Sequence, residues 1–211
     1  MSPAVLHDPT ALLGSLVLLL SFALLAGRHP YALANALAAQ SVLLACALAW
    51  LALRQGTPPL ALASALTLAA QGVAAPFVLR RQITPGDRRR WTEPVRRRFA
   101  SVVLGILLVA ICASVVMPMR FPAGALTRES TALVLAVVLL GLLVMILRRQ
   151  AAAQLAGFLS MLNGVMLAAL ELAAMPTVLT LTVVALTLIS CAVLGVFSVG
   201  IRRIDGGRVA A

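Results

Sequence analysis

At 211 residues, 62% hydrophobic and only 11% charged, with a mean hydropathy of +1.06, the chain is too apolar for a water-soluble globular domain. Its formal net charge is +11 and all seventeen cations are arginines, a bias of the whole composition rather than a mark of site chemistry. The arginines sit between apolar stretches and lack interleaved aromatics apart from Trp91, which argues against nucleic-acid binding and leaves membrane topology to explain the charge.

Seven apolar stretches follow in order, at residues 10–26, 31–53, 59–79, 99–117, 130–147, 151–175 and 176–201. Each is long enough to cross about 30 Å of hydrocarbon at about 1.5 Å per residue, the first and fifth only just. Counting the connections alternately gives one side Arg28, the eight arginines from Arg80 to Arg98, Arg148, Arg149, Arg202, Arg203 and Arg208. The other side receives only Arg54, Arg120 and Arg128. Arginine in short loops is retained in the cytoplasm, so the expected fold is an all-α integral membrane protein of about seven transmembrane helices, N-terminus outside and C-terminus cytoplasmic. No positive charge precedes the first stretch, as a cleaved signal peptide would require, so that span is expected to be retained. Cys46, Cys112 and Cys191 fall inside the expected spans without metal-ligand spacing and read as small packing residues.

The expected organisation is a three-span part at 1–79, a basic cytoplasmic loop at 80–98 and a four-span part at 99–211. In the loop, RRQITPGDRRRWTEPVRRR, Pro85-Gly86 reads as a turn and Thr92 to Arg98 as the start of a short helix. The loop is suited to anionic headgroups or to an acidic cytoplasmic partner; Arg88, Arg89 and Arg90 in it, and Arg148 and Arg149 in the connection between the fifth and sixth stretches, are the candidate cytoplasmic partner contacts. A bare turn at Met175 and Pro176 predicts a tight hairpin of the last two spans.

Polar side chains inside spans point to function, because lipid offers them no hydrogen bonds. Gln40, Gln71, Asn163 and Thr187 lie near the middle of spans two, three, six and seven, a depth that predicts a polar layer. Amides commonly join transmembrane helices as glue, and the alternative is a wet path in which they order water without titrating. Glu171, the only acidic residue inside an expected span, lies about 6 Å below the outer boundary by helical rise, either as a relay carboxylate or reaching to the headgroups. His7 and His29 stand apart from any metal or catalytic constellation, and no phosphate loop, nucleophile elbow or haem motif occurs.

From Arg148 the run RRQAAAQLAGFLSMLNGVMLAAL resembles the second span of the E subunit of hydrogenase-4 and formate hydrogenlyase complexes, a region similar in turn to the K subunit of respiratory complex I. Arg149, Gly157, Asn163 and Gly164 carry the resemblance, supported by Gln40-Ser41, Gln71 and Pro76, and residues 130–201 correspond to the K-like portion. The chain departs from the family pattern at Gln71, where a lysine is usual, and at Leu162, where a glutamate usually precedes Asn-Gly. In its last span Thr180, Thr182 and Thr187 stand where an acidic residue is expected.

The resemblance implies a non-catalytic subunit of the bacterial inner membrane, binding antiporter-like and other membrane subunits through spans five to seven. Hydrophilic redox subunits would lie on the cytoplasmic side and hold the nickel-iron centre and iron-sulfur clusters, with no cofactor in this chain. It would support redox-coupled proton or ion translocation. The departures imply a scaffold whose titrating chain is depleted. Two other readings stay open: an independent small-solute transporter with a midplane polar site at Gln40, Gln71 and Asn163, and a purely structural membrane scaffold.

Overall fold

The structure, a computed structural model, describes residues 9–27, 30–56, 58–81, 95–118, 128–148, 150–172, 181–189 and 192. The elements are α1 (Pro9–Ala26), α2 (Pro30–Gln55), α3 (Pro58–Thr67), a π-helical segment (Leu68–Ala74), α4 (Ala75–Arg81), α5 (Val95–Val116), α6 (Arg128–Leu147) and α7 (Ala151–Leu172). Residues 181–189 form a further helical stretch, α8. Among the described residues there is no strand. Long apolar runs become helices because a helix pairs its backbone groups within itself, which hydrocarbon demands.

Proline and glycine set several boundaries. Pro9, Pro30 and Pro58 open α1, α2 and α3 at the first helical position, where a missing N–H leaves no bond unmade. Gly56 follows α2 at φ +62°, the left-handed conformation that ends a helix without a Cβ penalty.

Among the described residues, five helices are long and apolar enough to cross a membrane, those containing Tyr31–Arg54, Leu60–Arg81, Phe99–Val116, Arg128–Leu147 and Ala151–Leu170. This is the make-up of a multi-pass helical membrane protein. Leu12–Ala26 is apolar but shorter, and of the seventh expected span only 181–189 and 192 are described. Several helices overrun the expected hydrophobic bounds: α5 begins at Val95 and α6 at Arg128. A helix does not stop where hydrocarbon stops, and arginines near its ends can extend their charged heads to the interface. The expected turn at Pro85-Gly86 and the short turn at Met175 and Pro176 lie outside the described residues.

The third span departs from a uniform α-helix. Across the π-helical segment the Ala75 N–H bonds to the Ala70 carbonyl, five residues back. The cause stands next to it: Pro76 has no N–H, and in a regular α-helix its ring would strike the Gly72 carbonyl. The wider turn accommodates the ring.

In the bundle, α7 is the most enclosed of the long helices and α5 the least. The core joins Val17 and Leu24 of α1, Leu37, Leu44 and Leu48 of α2, Val137 of α6 and Ala156, Leu159 and Leu167 of α7. With lipid on the outside, close packing rather than water exclusion holds such helices together. The α6–α7 contact is made by glycines: a Cβ on Gly157 would lie 2.7 Å from the Gly141 carbonyl oxygen, and one on Gly141 would lie 2.7 Å from the Met161 nitrogen. Farther along, a Cβ on Gly164 would meet Val138 at 2.8 Å. The backbones touch where a side chain would have stood.

One end of the bundle is tied by arginines. The Arg148 guanidinium donates to the carbonyls of Leu25 and Gly27, at 3.1 and 3.0 Å, closing off the C-terminal end of α1. Arg80 at the end of α4 donates to Asn35 Oδ1 near the start of α2. Because α1 ends where α2 begins, both arginines lie at the same end. Arg54, with its guanidinium 5.3 Å from the Trp50 ring centre, lies at the opposite end of α2.

Candidate functional site: buried amides in three donor relays

Gln40, Gln71, Asn163 and Thr187 are all buried, none more than 1% exposed. Three amides act through one repeated arrangement. Gln40 Nε2 of α2 donates to Ser21 Oγ of α1 at 2.8 Å, and the Ser21 hydroxyl donates to the Val17 carbonyl four residues earlier at 2.9 Å. Asn163 Nδ2 of α7 donates to Ser41 Oγ of α2 at 3.3 Å, and Ser41 donates to the Leu37 carbonyl at 3.0 Å. Gln71 Nε2 in the π-helical segment donates to Thr187 Oγ1 of α8 at 3.1 Å, and Thr187 donates to the Val183 carbonyl at 2.8 Å.

The local reason is the same each time. A serine or threonine inside a helix returns its proton to the carbonyl four residues back, which leaves its oxygen lone pairs facing the neighbouring helix. An amide N–H is the donor that fits them. Gln40 gains a second bond, to the Val17 carbonyl at 3.2 Å. Interhelical bonds of this kind contribute about 0.6 kcal/mol on average and up to about 1.7.

Every relay uses the amide nitrogen, so every relay leaves an amide oxygen over. Gln40 Oε1, Gln71 Oε1 and Asn163 Oδ1 are buried with no hydrogen-bond partner among the described residues, as is the hydroxyl of Ser160. The expected layer thus resolves into two sets. Ser21, Gln40, Ser41 and Asn163 link α1, α2 and α7, while Gln71 and Thr187 link the third span to α8. No group in these relays changes charge near neutral pH, so they can orient water or a passing dipole but cannot store a proton.

The other expected residues fall as follows. Glu171 lies in α7, but its side chain is outside the described residues, as are Arg88, Arg89, Arg90 and Arg149. Arg148 is 6% exposed and bonded to α1, so its geometry is that of an internal helix clamp rather than of a free cytoplasmic contact. Among the described residues no group of three or more His, Cys, Asp or Glu is placed to hold a metal ion. An open groove of about 410 Å³ lies at the turn between α2 and α3, lined by Ala49, Ala52, Leu53, Gly56, Pro58, Ala61 and Ser64, several helical residues away from Gln40 and Gln71.

No family model, curated protein or solved structure matches this chain. The site therefore rests on its own residues. Sequence reasoning missed Ser21 and Ser160 and gave Ser41 no role of its own. Signals were present: Ser160 is three residues before Asn163 and so shares its helix face, and Ser41 follows Gln40 directly. Serine is too common in spans for either to stand out before a partner is visible.

Proposed function

We propose that this chain is an accessory integral membrane subunit of a hydrogenase-4 or complex I-like assembly, without a catalytic centre or cofactor of its own. In this reading it has seven spans in the bacterial inner membrane, N-terminus outside and C-terminus cytoplasmic, and packs beside antiporter-like subunits. Hydrophilic redox subunits on the cytoplasmic side carry the nickel-iron and iron-sulfur centres, and the basic loop at 80–98 faces them.

One observation carries the reading. Gly157, Asn163 and Gly164, the described residues on which the resemblance chiefly rests, are also those that fix α7 against α6 and α2. The resemblance therefore concerns positions with a physical task in this fold. The uncharged relays agree with a subunit that braces an ion path without titrating within it. The expected partner face was spans five to seven, but α7, the sixth span, is largely taken up inside the chain, whereas α5, the fourth span, exposes Phe99, Val103, Ile106, Leu107 and Ile111 and offers neighbouring membrane subunits an apolar face.

The test is a mild-detergent pull-down of the tagged chain from its native membrane, followed by mass spectrometry. Antiporter-like subunits together with iron-sulfur or nickel-iron proteins are the expected result. A lone, stable homo-oligomer would overturn the reading.

The break in the third span favours a second reading. A helix interrupted at mid-membrane by a π-helical segment and Pro76, with Gln71 inside the break, is the kind of element around which transporters build substrate sites. A small-solute transporter would purify alone and bind its solute, and Gln71→Ala would abolish that binding.

A further inference from the structure

Ser160 breaks the pattern set by Ser21, Ser41 and Thr187. Its hydroxyl is fully buried, yet it bonds neither to the carbonyl four residues back nor to any other protein group among the described residues. One turn along the same face of α7, Asn163 gives its nitrogen to Ser41 and keeps its oxygen open. Gln40, beside Ser41 in α2, gives its nitrogen to α1 and also keeps its oxygen open. Ser160 and Asn163 of α7 and Gln40 of α2 thus bring one unused hydroxyl and two unused amide oxygens into the packed interior of the bundle. Buried polar atoms of this kind are strongly penalised in hydrocarbon unless something meets them.

The chemistry of these three groups selects the ligand. It must accept one hydrogen bond, from Ser160, and donate two, to Asn163 and Gln40. A bare cation accepts none and would bring an unbalanced charge into the membrane beside purely neutral groups. Water does both, and about three hydrogen bonds is the usual complement of a buried water. The spacing of Ser160 and Asn163 agrees: residues three apart on a helix have Cβ atoms about 5–6 Å apart, and a water making two bonds of about 2.8 Å spans such a gap.

We propose that the α1–α2–α7 junction is a binding site for one water molecule, which accepts the Ser160 hydroxyl proton and donates to Asn163 Oδ1 and Gln40 Oε1. The water completes the two relays that meet at residues 40 and 41 and joins three helices through one exchangeable molecule. Its holders do not titrate, so the site binds water at any pH at which the protein is folded. The inference is independent of the proposed partners, because it rests on residues of this chain alone.

The experiment is an infrared difference measurement on the purified full-length chain in detergent, comparing H₂¹⁶O with H₂¹⁸O, together with its thermal midpoint. The wild type should show an isotope-sensitive O–H stretching band of buried water. Ser160→Ala should attenuate that band and lower the midpoint, because it removes one of three anchors. Ser160→Cys, which nearly keeps the volume but is a weak donor, should also attenuate the band. Absence of the band in the wild type, a band of equal size in both variants, or a midpoint that rises in Ser160→Ala would overturn the proposal. The last result would mean that the hydroxyl is dry and its removal a relief.

Discussion

Asn163 of α7 and Ser41 of α2, 122 positions apart in the chain, are joined by a 3.3 Å hydrogen bond whose direction is fixed at both ends. Ser41 has already given its proton to the Leu37 carbonyl, so only the Asn163 amide can donate. This one-way arrangement recurs at Gln40–Ser21 and Gln71–Thr187. It makes the amides, rather than the hydroxyls, the residues whose identity matters across each helix pair.

The first prediction follows from that direction. Asn163→Asp places an acceptor against an acceptor and a charge in hydrocarbon, and should destabilise the chain more than Asn163→Ala does. A double-mutant cycle of Asn163→Ala with Ser41→Ala should return a coupling of about 0.6 kcal/mol, with about 1.7 as its upper bound. Unfolding free energies in mixed detergent measure it; a coupling of zero would mean that the bond contributes nothing to α2–α7 association.

A second prediction concerns the glycines. Gly157→Ala drives a methyl group into the Gly141 carbonyl oxygen at 2.7 Å and toward the Met145 nitrogen at 3.0 Å, and backbone cannot turn aside. The expected loss is about 1–3 kcal/mol. Gly72→Ala meets first a Leu68 methyl at 3.1 Å, the far end of a flexible side chain, and should be close to neutral. The contrast, read in the same unfolding assay, separates a backbone contact from the general helix preference for alanine.

How much of this was legible in the sequence depends on the scale of the interaction. The five long apolar helices were readable because each rests on about twenty predominantly apolar residues, a signal no single residue can erase. The amides Gln40, Gln71 and Asn163 were readable because a polar group in an apolar run is conspicuous. Thr187 was read as part of the same layer, but its pairing with Gln71, 116 positions away, was not, and Ser21, 19 positions from Gln40, was missed altogether, because only packing brings these residues together. The contact of Arg148 with α1 was hidden for the same reason: in the sequence it is one of a pair of loop arginines, and only the fold shows the α1 carbonyls under its guanidinium. The π-helical segment left a trace in Pro76, but proline alone does not say whether a helix kinks, ends or widens.

The third prediction addresses that widening. Pro76→Ala restores the missing N–H and removes the ring, and thus removes the reason for a wide turn. If the segment relaxes to a regular α-helix, residues on one side of it rotate by about 100° relative to the other. Gln71 would then leave Thr187. The expected result is that Gln71→Ala and Thr187→Ala, coupled in the wild-type background, become additive in the Pro76→Ala background. Persistent coupling would show that the wide turn is held by neighbouring helices rather than by the proline.

The last prediction concerns Arg148, whose guanidinium reaches two carbonyls at once, those of Leu25 and Gly27. The C-terminal end of a helix carries a partial negative charge, and its last carbonyls have no partners within the helix. Arg148 supplies both the charge and the donors. Arg148→Gln should therefore destabilise the chain by about 1–3 kcal/mol, since hydrogen bonds from a charged donor contribute about that much. Arg148→Lys keeps the charge but lacks the rigid fork, and should fall between the two. Because the site is only 6% exposed, salt should not narrow the difference between wild type and variant. Thermal midpoints at low and high ionic strength decide it: a difference that vanishes in high salt would place the effect in long-range surface charge rather than in the clamp on α1.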